Sequence, residues 1–225
     1  MNKLIRALKK SFLQGGQYAG IGKRHRDPVK LEARHVQNCK VLTDRYEILQ
    51  HMPKHGAMAE IGVLAGDFSE WILNINTPVL IYLIDTFVSQ DWSGHTVKRF
   101  EESGHLDFIK DRFRAGIENN QVRVLQGMSD TCLAGLADQS LNWIYVDADH
   151  RYEAVKADLK EAMRLVKPDG FIVANDYIFF SHSENTNYGV IHAVNEMCVE
   201  HNFELVYLAL HPQMYCDVVL RRIVS

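Results

Sequence analysis

The sequence has no long apolar run, few cysteines and no complete nucleotide-binding fingerprint, and each shortage closes a class of function. No apolar stretch is long enough to span a bilayer, so membrane insertion is not expected. Residues 1–10 start Met-Asn-Lys-Leu-Ile-Arg but are broken by Arg6, Lys9 and Lys10, leaving no signal-peptide core. The four cysteines, Cys39, Cys132, Cys198 and Cys216, are widely scattered, with no close pair of the kind that builds a metal knuckle or a secreted disulfide framework. A reducing, cytoplasmic setting is the expectation. Internal repeats and low-complexity segments are also missing.

At 225 residues the chain suits one domain of generous size, or a core domain with an N-terminal extension. Charge is unevenly spread. Residues 1–30 carry eight Lys or Arg against the single acid Asp27, so the rest of the chain is more acidic than the formal net charge of −3 suggests. The basic arm lacks the interleaved aromatics of a nucleic-acid binder, and an acidic remainder disfavours a polyanionic substrate.

Residues 57–66, Ala-Met-Ala-Glu-Ile-Gly-Val-Leu-Ala-Gly, are the most informative segment: a short apolar run ending in Glu60, Gly62 and Gly66, followed by a helical pattern over 67–73. Gly62 lets the chain turn, and Gly66 lets a ligand approach the helix start. An ordinary tight strand-to-helix turn is the alternative. A dinucleotide fingerprint would need a glycine where Leu64 stands. The glycine pair at 20–22 fails as a phosphate loop as well, with Gln17 at the first glycine position and Arg24 where Ser or Thr is required.

From residue 57 onward, apolar runs alternate with amphipathic stretches, which predicts a Rossmann-like α/β sandwich. Strands are expected at 57–61, 79–84, 121–125, 141–146 and 171–174, with helices at 108–117, 152–166 and 188–201, and Pro168-Asp169-Gly170 ending the second of these helices. The last two strands, 203–210 and 214–223, are joined by so short a link that they must pair antiparallel. Residues 1–56 lack this alternation apart from a helix at 44–51, and are read as an N-terminal extension to a domain spanning 57–225.

In open α/β sheets, ligands bind beyond the carboxyl ends of the strands. These ends are acidic here: Glu60, Asp85, Asp147 with Asp149 and His150, and Asn175-Asp176. Asp85 follows Glu60 by twenty-five residues, near the spacing at which a second-strand carboxylate holds ribose hydroxyls. An acid at position 60 is unfavourable for a phosphate, so the pattern suits a nucleoside whose other end is cationic. S-adenosylmethionine, with its sulfonium and amino group, has that form.

The ordered motifs Glu-Ile-Gly-Val-Leu-Ala-Gly, Leu-Ile-Asp-Thr, Val-Asp-Ala-Asp-His-Arg-Tyr and Lys-Pro-Asp-Gly-Phe-Ile-Val-Ala-Asn-Asp-Tyr resemble those of class I S-adenosylmethionine-dependent methyltransferases, over residues 40–223. Within that class the chain is similar to small-molecule O-methyltransferases of the caffeoyl-CoA/catechol and macrocin/cephalosporin-tailoring types. The resemblance implies a seven-stranded, mostly parallel sheet with an antiparallel last strand. It implies that Glu60, Gly62 and Gly66 hold the methionine part of the cofactor, Asp85 and Thr86 the ribose, and Gly127, Met128 and Ser129 the adenine, with Asp147 beside it. Ser129 and Asp130 read equally well as a helix cap.

The resemblance further implies metal ligands at Asp147, Asn175 and Asp176, an oxygen set suited to Mg2+ or Ca2+. The pair departs from both types, which have Asp then Asn or Glu then Asp. His150 stands where the caffeoyl-CoA relatives carry a lysine base, and an imidazole can take a hydroxyl proton. It could instead pack against Tyr152 and shape the pocket. Two further pairs, His51/His55 and Cys198/His201, are weaker candidates, and Tyr177, Phe179, Phe180 and His182 could line an acceptor pocket. The expected reaction is methyl transfer to a hydroxyl of a sugar or natural product, with no nucleic-acid partner and with self-association left open. A non-catalytic S-adenosylmethionine-binding domain and a NAD-dependent oxidoreductase are the rivals.

Overall fold

The computed structural model describes residues 27–88 and 104–224. Most of the basic arm, including the glycine pair at 20–22, lies outside the described residues. The sheet has eight strands: β1 (Lys40–Leu42), β2 (Ala57–Ile61), β3 (Leu80–Asp85), β4 (Val122–Gln126), β5 (Leu141–Val146), β6 (Val166–Ala174), β9 (Phe203–Ala209) and β10 (Asp217–Arg222). Their order is β1-β9-β10-β6-β5-β2-β3-β4. All neighbouring pairs are parallel except those of β10, which runs antiparallel to both β6 and β9. Two short strands, β7 (Phe180–Ser181) and β8 (Thr186–Asn187), form a separate hairpin after β6.

Strand alternation sorts the core onto two faces. Met58, Ile81, Leu83, Trp143 and Tyr145 pack with Ile48, Leu49 and Ile72 from helices α1 (Arg45–His51) and α2 (Asp67–Asn76). Ala59, Ile61, Ile144 and Val146 pack on the other face with Val155, Leu159 and Val194 from α6 (Tyr152–Leu165) and α7 (Val190–His201). Helices α3 (His105–Arg112), α4 (Arg114–Glu118) and α5 (Ser129–Ala134) complete the layers. This is the Rossmann-like α/β sandwich that the alternation predicts.

Three details differ from the sequence expectation. The sheet gains an eighth strand, β1, three residues long and too short to show alternation. It pairs with β9 and carries the chain straight into α1, so residues 40–52 share the sheet and the core with the region after residue 57. Strand β6 starts at Val166 rather than after Gly170, because residues 167–170 bulge out where the register jumps between Leu141↔Val166 and Trp143↔Phe171. The helix expected over 108–117 is two helices, broken at Phe113, whose backbone (φ −104°, ψ 19°) leaves the helical region.

Leu83 is fully buried at the centre of β3. Leu83→Ala should lower unfolding stability by about 2–5 kcal/mol, as cavities in packed cores do, with no change in urea m-value.

Candidate active site

The carboxyl ends of β2, β3, β4, β5 and β6 meet at one rim, and because β10 runs backwards its first residue, Asp217, joins them. Gly62, at φ +85°, makes the turn out of β2; a Cβ there would lie 1.8 Å from the carbonyl oxygen of Asp147, so only glycine lets the loop lie against the end of β5. The polar groups of the loop are held from three sides. Asp85 Oδ2 accepts from the N–H groups of Val63 and Leu64 at 2.9 and 3.1 Å. His105 Nε2 meets the carbonyl of Leu64 at 2.6 Å. Arg112 donates to the carbonyl of Ala65 and forms ion pairs with Asp67 and Glu70 at 2.7 and 2.6 Å.

Below the loop, Glu60 is 1% exposed and accepts a hydrogen bond from the Ser69 hydroxyl of α2. Burial, reinforced by the charges of Asp147 and Asp85 and opposed by the Ser69 hydrogen bond and Arg45, pushes its carboxyl up to about 8. Along the rim, Gly127 N–H donates to the Asp85 carbonyl, Met128 is exposed, and the Ser129 hydroxyl donates to Asp158, tying α5 to α6. Ser129 is the first residue of α5 and does not cap it.

The densest chemistry lies over β5, β6 and β10. Asp217, 1% exposed, accepts from the Tyr145 hydroxyl at 2.7 Å and from the Asn175 amide nitrogen at 3.1 Å, and pairs with Arg45 at 3.5 Å. Arg45 stands in the first turn of α1, whose cap Asp44 accepts from the N–H groups of Tyr46 and Glu47. It reaches over the Phe68 ring, also approaches Asp147 at 3.9 Å, and is held firmly protonated: burial would lower its pKa, but the nearby acids outweigh that.

His150 Nε2 donates to Asn175 Oδ1 at 3.2 Å and lies 3.6 Å from both Asp147 Oδ1 and Asp176 Oδ2. Its ring stacks on Tyr188 at 4.4 Å and 8°, and its carbonyl accepts from Gly189 N–H at 2.7 Å. Burial would lower the His150 pKa, but Asp147, Asp176 and Asn175 together overcome it and push it up to about 9. Asp176, whose φ of +53° is left-handed, rises to about 7 through burial and the charge of Asp147.

A model of a family described as a methyltransferase domain matches residues 59–177, more than half of the chain and the span that carries this rim. The chain belongs to that family. It is an S-adenosylmethionine-dependent methyltransferase. No curated protein matches the chain in sequence. Among solved structures, the O-methyltransferase from Bacillus cereus in complex with SAH is 14% identical, over 79% of this chain and 78% of that one, with a TM-score of 0.55. A SAM-dependent methyltransferase from Aquifex aeolicus is 13% identical over 80% and 89% of the two chains, TM-score 0.54. A Corynebacterium glutamicum protein is 16% identical over 98% of both chains, TM-score 0.55. At such identities the likeness is one of fold.

In this methyltransferase the residues singled out in the sequence fall into two groups along one rim. Glu60, Gly62, Asp85, Thr86 and Gly127 surround the glycine loop, while Asp147, His150, Asn175 and Asp176 cluster over β5 and β6. At Gly66, the space that a side chain would take is filled by the Phe113 ring, 2.6 Å from the ideal Cβ position, so the helix start can lie this close to α3 only with glycine there. His51 stacks on Tyr207, and His55 bonds the Thr77 hydroxyl, so the two do not form a metal pair. Sequence reasoning missed Arg45, His105, Arg112 and Asp217. Only Asp217 had a signal: an acid at the head of an apolar strand predicted to run antiparallel must sit at the opposite strands' carboxyl rim.

The oxygen set does not fit a divalent cation. Asn175 Oδ1 is committed to His150 while its amide nitrogen serves Tyr145 and Asp217, and both carboxylates face protein cations. Among the described residues no group of three or more His, Cys, Asp or Glu side chains is arranged to hold a metal ion. Asp147, Asn175 and Asp176 do stand together as the resemblance implies, with their oxygens turned toward protein groups in this structure.

Glu60 makes stability depend on pH. Its folded-state pKa, raised from 4.5 to about 8, means that the folded protein keeps a proton the unfolded chain releases, so stability is full below about 4.5 and is lost as pH rises through 8. The urea midpoint should fall between pH 6 and pH 8, and Glu60→Gln, which cannot titrate but can still accept from Ser69, should reduce that fall. A wild-type protein more stable at pH 8 than at pH 6 would contradict this.

Proposed function

We propose that this methyltransferase acts on a hydroxyl of a small molecule, a sugar or natural product, with His150 as the base. The observation that supports this reading is the setting of His150: an imidazole clamped by Tyr188 and Gly189 at the rim, its Nε2 turned toward the polar cluster. The loop from Gly62 with Glu60 beneath it would seat the methionine part, Asp85 and Thr86 the ribose, Gly127 to Ser129 the adenine, and Asp147 the side facing the acceptor. Residues 1–56, which supply Arg45, and residues 177–190, which return across His150, are the proposed acceptor-facing parts beside a cofactor domain that begins at residue 57.

The reaction is an in-line displacement. The acceptor oxygen bonds to the sulfonium methyl, the S–CH3 bond breaks with its electrons going to sulfur, and the hydroxyl proton passes to the ring nitrogen of a neutral His150 that is not engaged with Asn175. The neighbouring carboxylates raise the His150 pKa to about 9, so the imidazole takes the hydroxyl proton only after giving up its own, which ties turnover to alkaline pH. No cation enters this reading, given how Asn175 and the carboxylates are already engaged. The free cysteines agree with the reducing, cytoplasmic setting proposed for it. Among the described residues no helix is long and apolar enough to cross a membrane.

Calorimetry should show S-adenosylmethionine and S-adenosylhomocysteine binding, with NAD silent, and Asp85→Ala should weaken the cofactor by about tenfold or more, the effect of losing charge-assisted hydrogen bonds. With an acceptor found by screening hydroxylated small molecules, kcat should climb with pH toward about 9 as His150 loses its proton. His150→Ala should cut kcat by about 10²–10⁴-fold and remove that climb. A variant with near-normal turnover and an unchanged pH profile would exclude His150 as the base.

A further inference from the structure

The cluster of Asp147, Asn175 and Asp176 has the residue types of a metal site, yet its oxygens converge on a side chain. Asn175 Oδ1, Asp147 Oδ1 and Asp176 Oδ2 lie 3.2, 3.6 and 3.6 Å from one atom, His150 Nε2. A Mg2+ or Ca2+ ion would need those oxygens to itself at about 2.0–2.6 Å, with their remaining lone pairs turned toward it. We infer that His150 occupies the seat that a divalent cation would fill, and that this chain binds its acceptor and transfers the methyl group without a metal. The inference rests on the methyltransferase site described above and extends the role given there to His150.

The reason for an amide at position 175 supports this. Asp217 is a buried carboxylate that meets the Asn175 amide nitrogen at 3.1 Å. A carboxylate at 175 would place two buried acceptors against each other, whereas the amide gives a donor to Asp217 and an acceptor to His150. The same choice removes one anionic ligand from any cation. The second oxygen of Asp147 faces Arg45 at 3.9 Å, so each acid that a metal would claim has a side-chain cation beside it. The ring of Tyr188, stacked at 4.4 Å, and the Gly189 N–H bonded to the His150 carbonyl keep the imidazole from swinging out to admit an ion.

The test is a titration with Mn2+ followed by electron paramagnetic resonance, with S-adenosylhomocysteine present and no acceptor, so it is independent of the acceptor's identity. The wild-type protein should leave Mn2+ free up to about 1 mM, the weak end of specific binding. His150→Ala, checked for folding by circular dichroism and for an unchanged S-adenosylhomocysteine affinity, should empty the seat and gain a single Mn2+ site at least about tenfold tighter, lost again in His150→Ala/Asp176→Asn. Stoichiometric Mn2+ bound by the wild type, displaced by Mg2+ and abolished by Asp176→Asn, would overturn the inference. So would a folded His150→Ala that binds no Mn2+. Failure of cofactor binding in calorimetry, by contrast, would strike the site reading and leave the metal result to stand by itself.

Discussion

A buried carboxylate must find donors on every side, and Asp217 imposes that demand on the whole rim. Its donors come from three elements: Tyr145 at the end of β5, Asn175 just past β6, and Arg45 at the start of α1. Each is then fixed for a second purpose. Asn175 must present its oxygen to His150, Arg45 must lie over Phe68 and near Asp147, and α1 must begin where β1 ends. Asp217 is brought to this position only because β10 is inserted antiparallel between β6 and β9, so the reversed last strand is part of the site as well as the sheet's closure.

The glycine loop obeys a different constraint, that of exposed backbone groups needing partners. Asp85, His105 and Arg112 satisfy the N–H and carbonyl groups of Val63 to Ala65, and Phe113 fills the space beside Gly66. The loop is thus shaped before any cofactor arrives, which lowers the ordering cost of binding. Asp85 has its Oδ2 engaged by two backbone N–H groups and its Oδ1 by Phe87 N–H, so ribose hydroxyls would share this carboxylate with the loop.

Periodicity carried the central fold, because buried strands and amphipathic helices each leave a repeating apolar mark over five or more residues. Strands β2 and β5 fall on the expected residues, and the antiparallel final hairpin follows from its short link. Strand β1 was illegible because three residues cannot show a period, and the break at Phe113 because both half-helices keep one apolar face. Within the site, residues at strand ends were legible from topology alone. Arg45, His105 and Arg112 were not: each lies on a helix, and its reach to the rim depends on tertiary packing that no local pattern encodes. The metal set had the right residue types, but the sequence could not show which way the Asn175 amide faces, and the inference of a metal-free site rests on that orientation.

Acidity at the rim bears on turnover through the charge that changes in the reaction. In the proposed placement the sulfonium enters a site bordered by Asp85, Asp147, Asp176 and Asp217, with Arg45 and His150 as the opposing side chains and Glu60 holding its proton beneath the loop. Methyl transfer turns that cation into a neutral thioether and hands a proton toward His150. Coulomb attraction to the carboxylates is therefore present for the substrate form of the cofactor and lost for the product form, in a partly buried setting where such terms are poorly screened. A divalent cation beside Asp147 would have opposed the sulfonium at close range. In the proposed placement, a histidine in that seat brings at most one positive charge beside Asp147, where a divalent ion would bring two, and would serve as the proton acceptor for the hydroxyl.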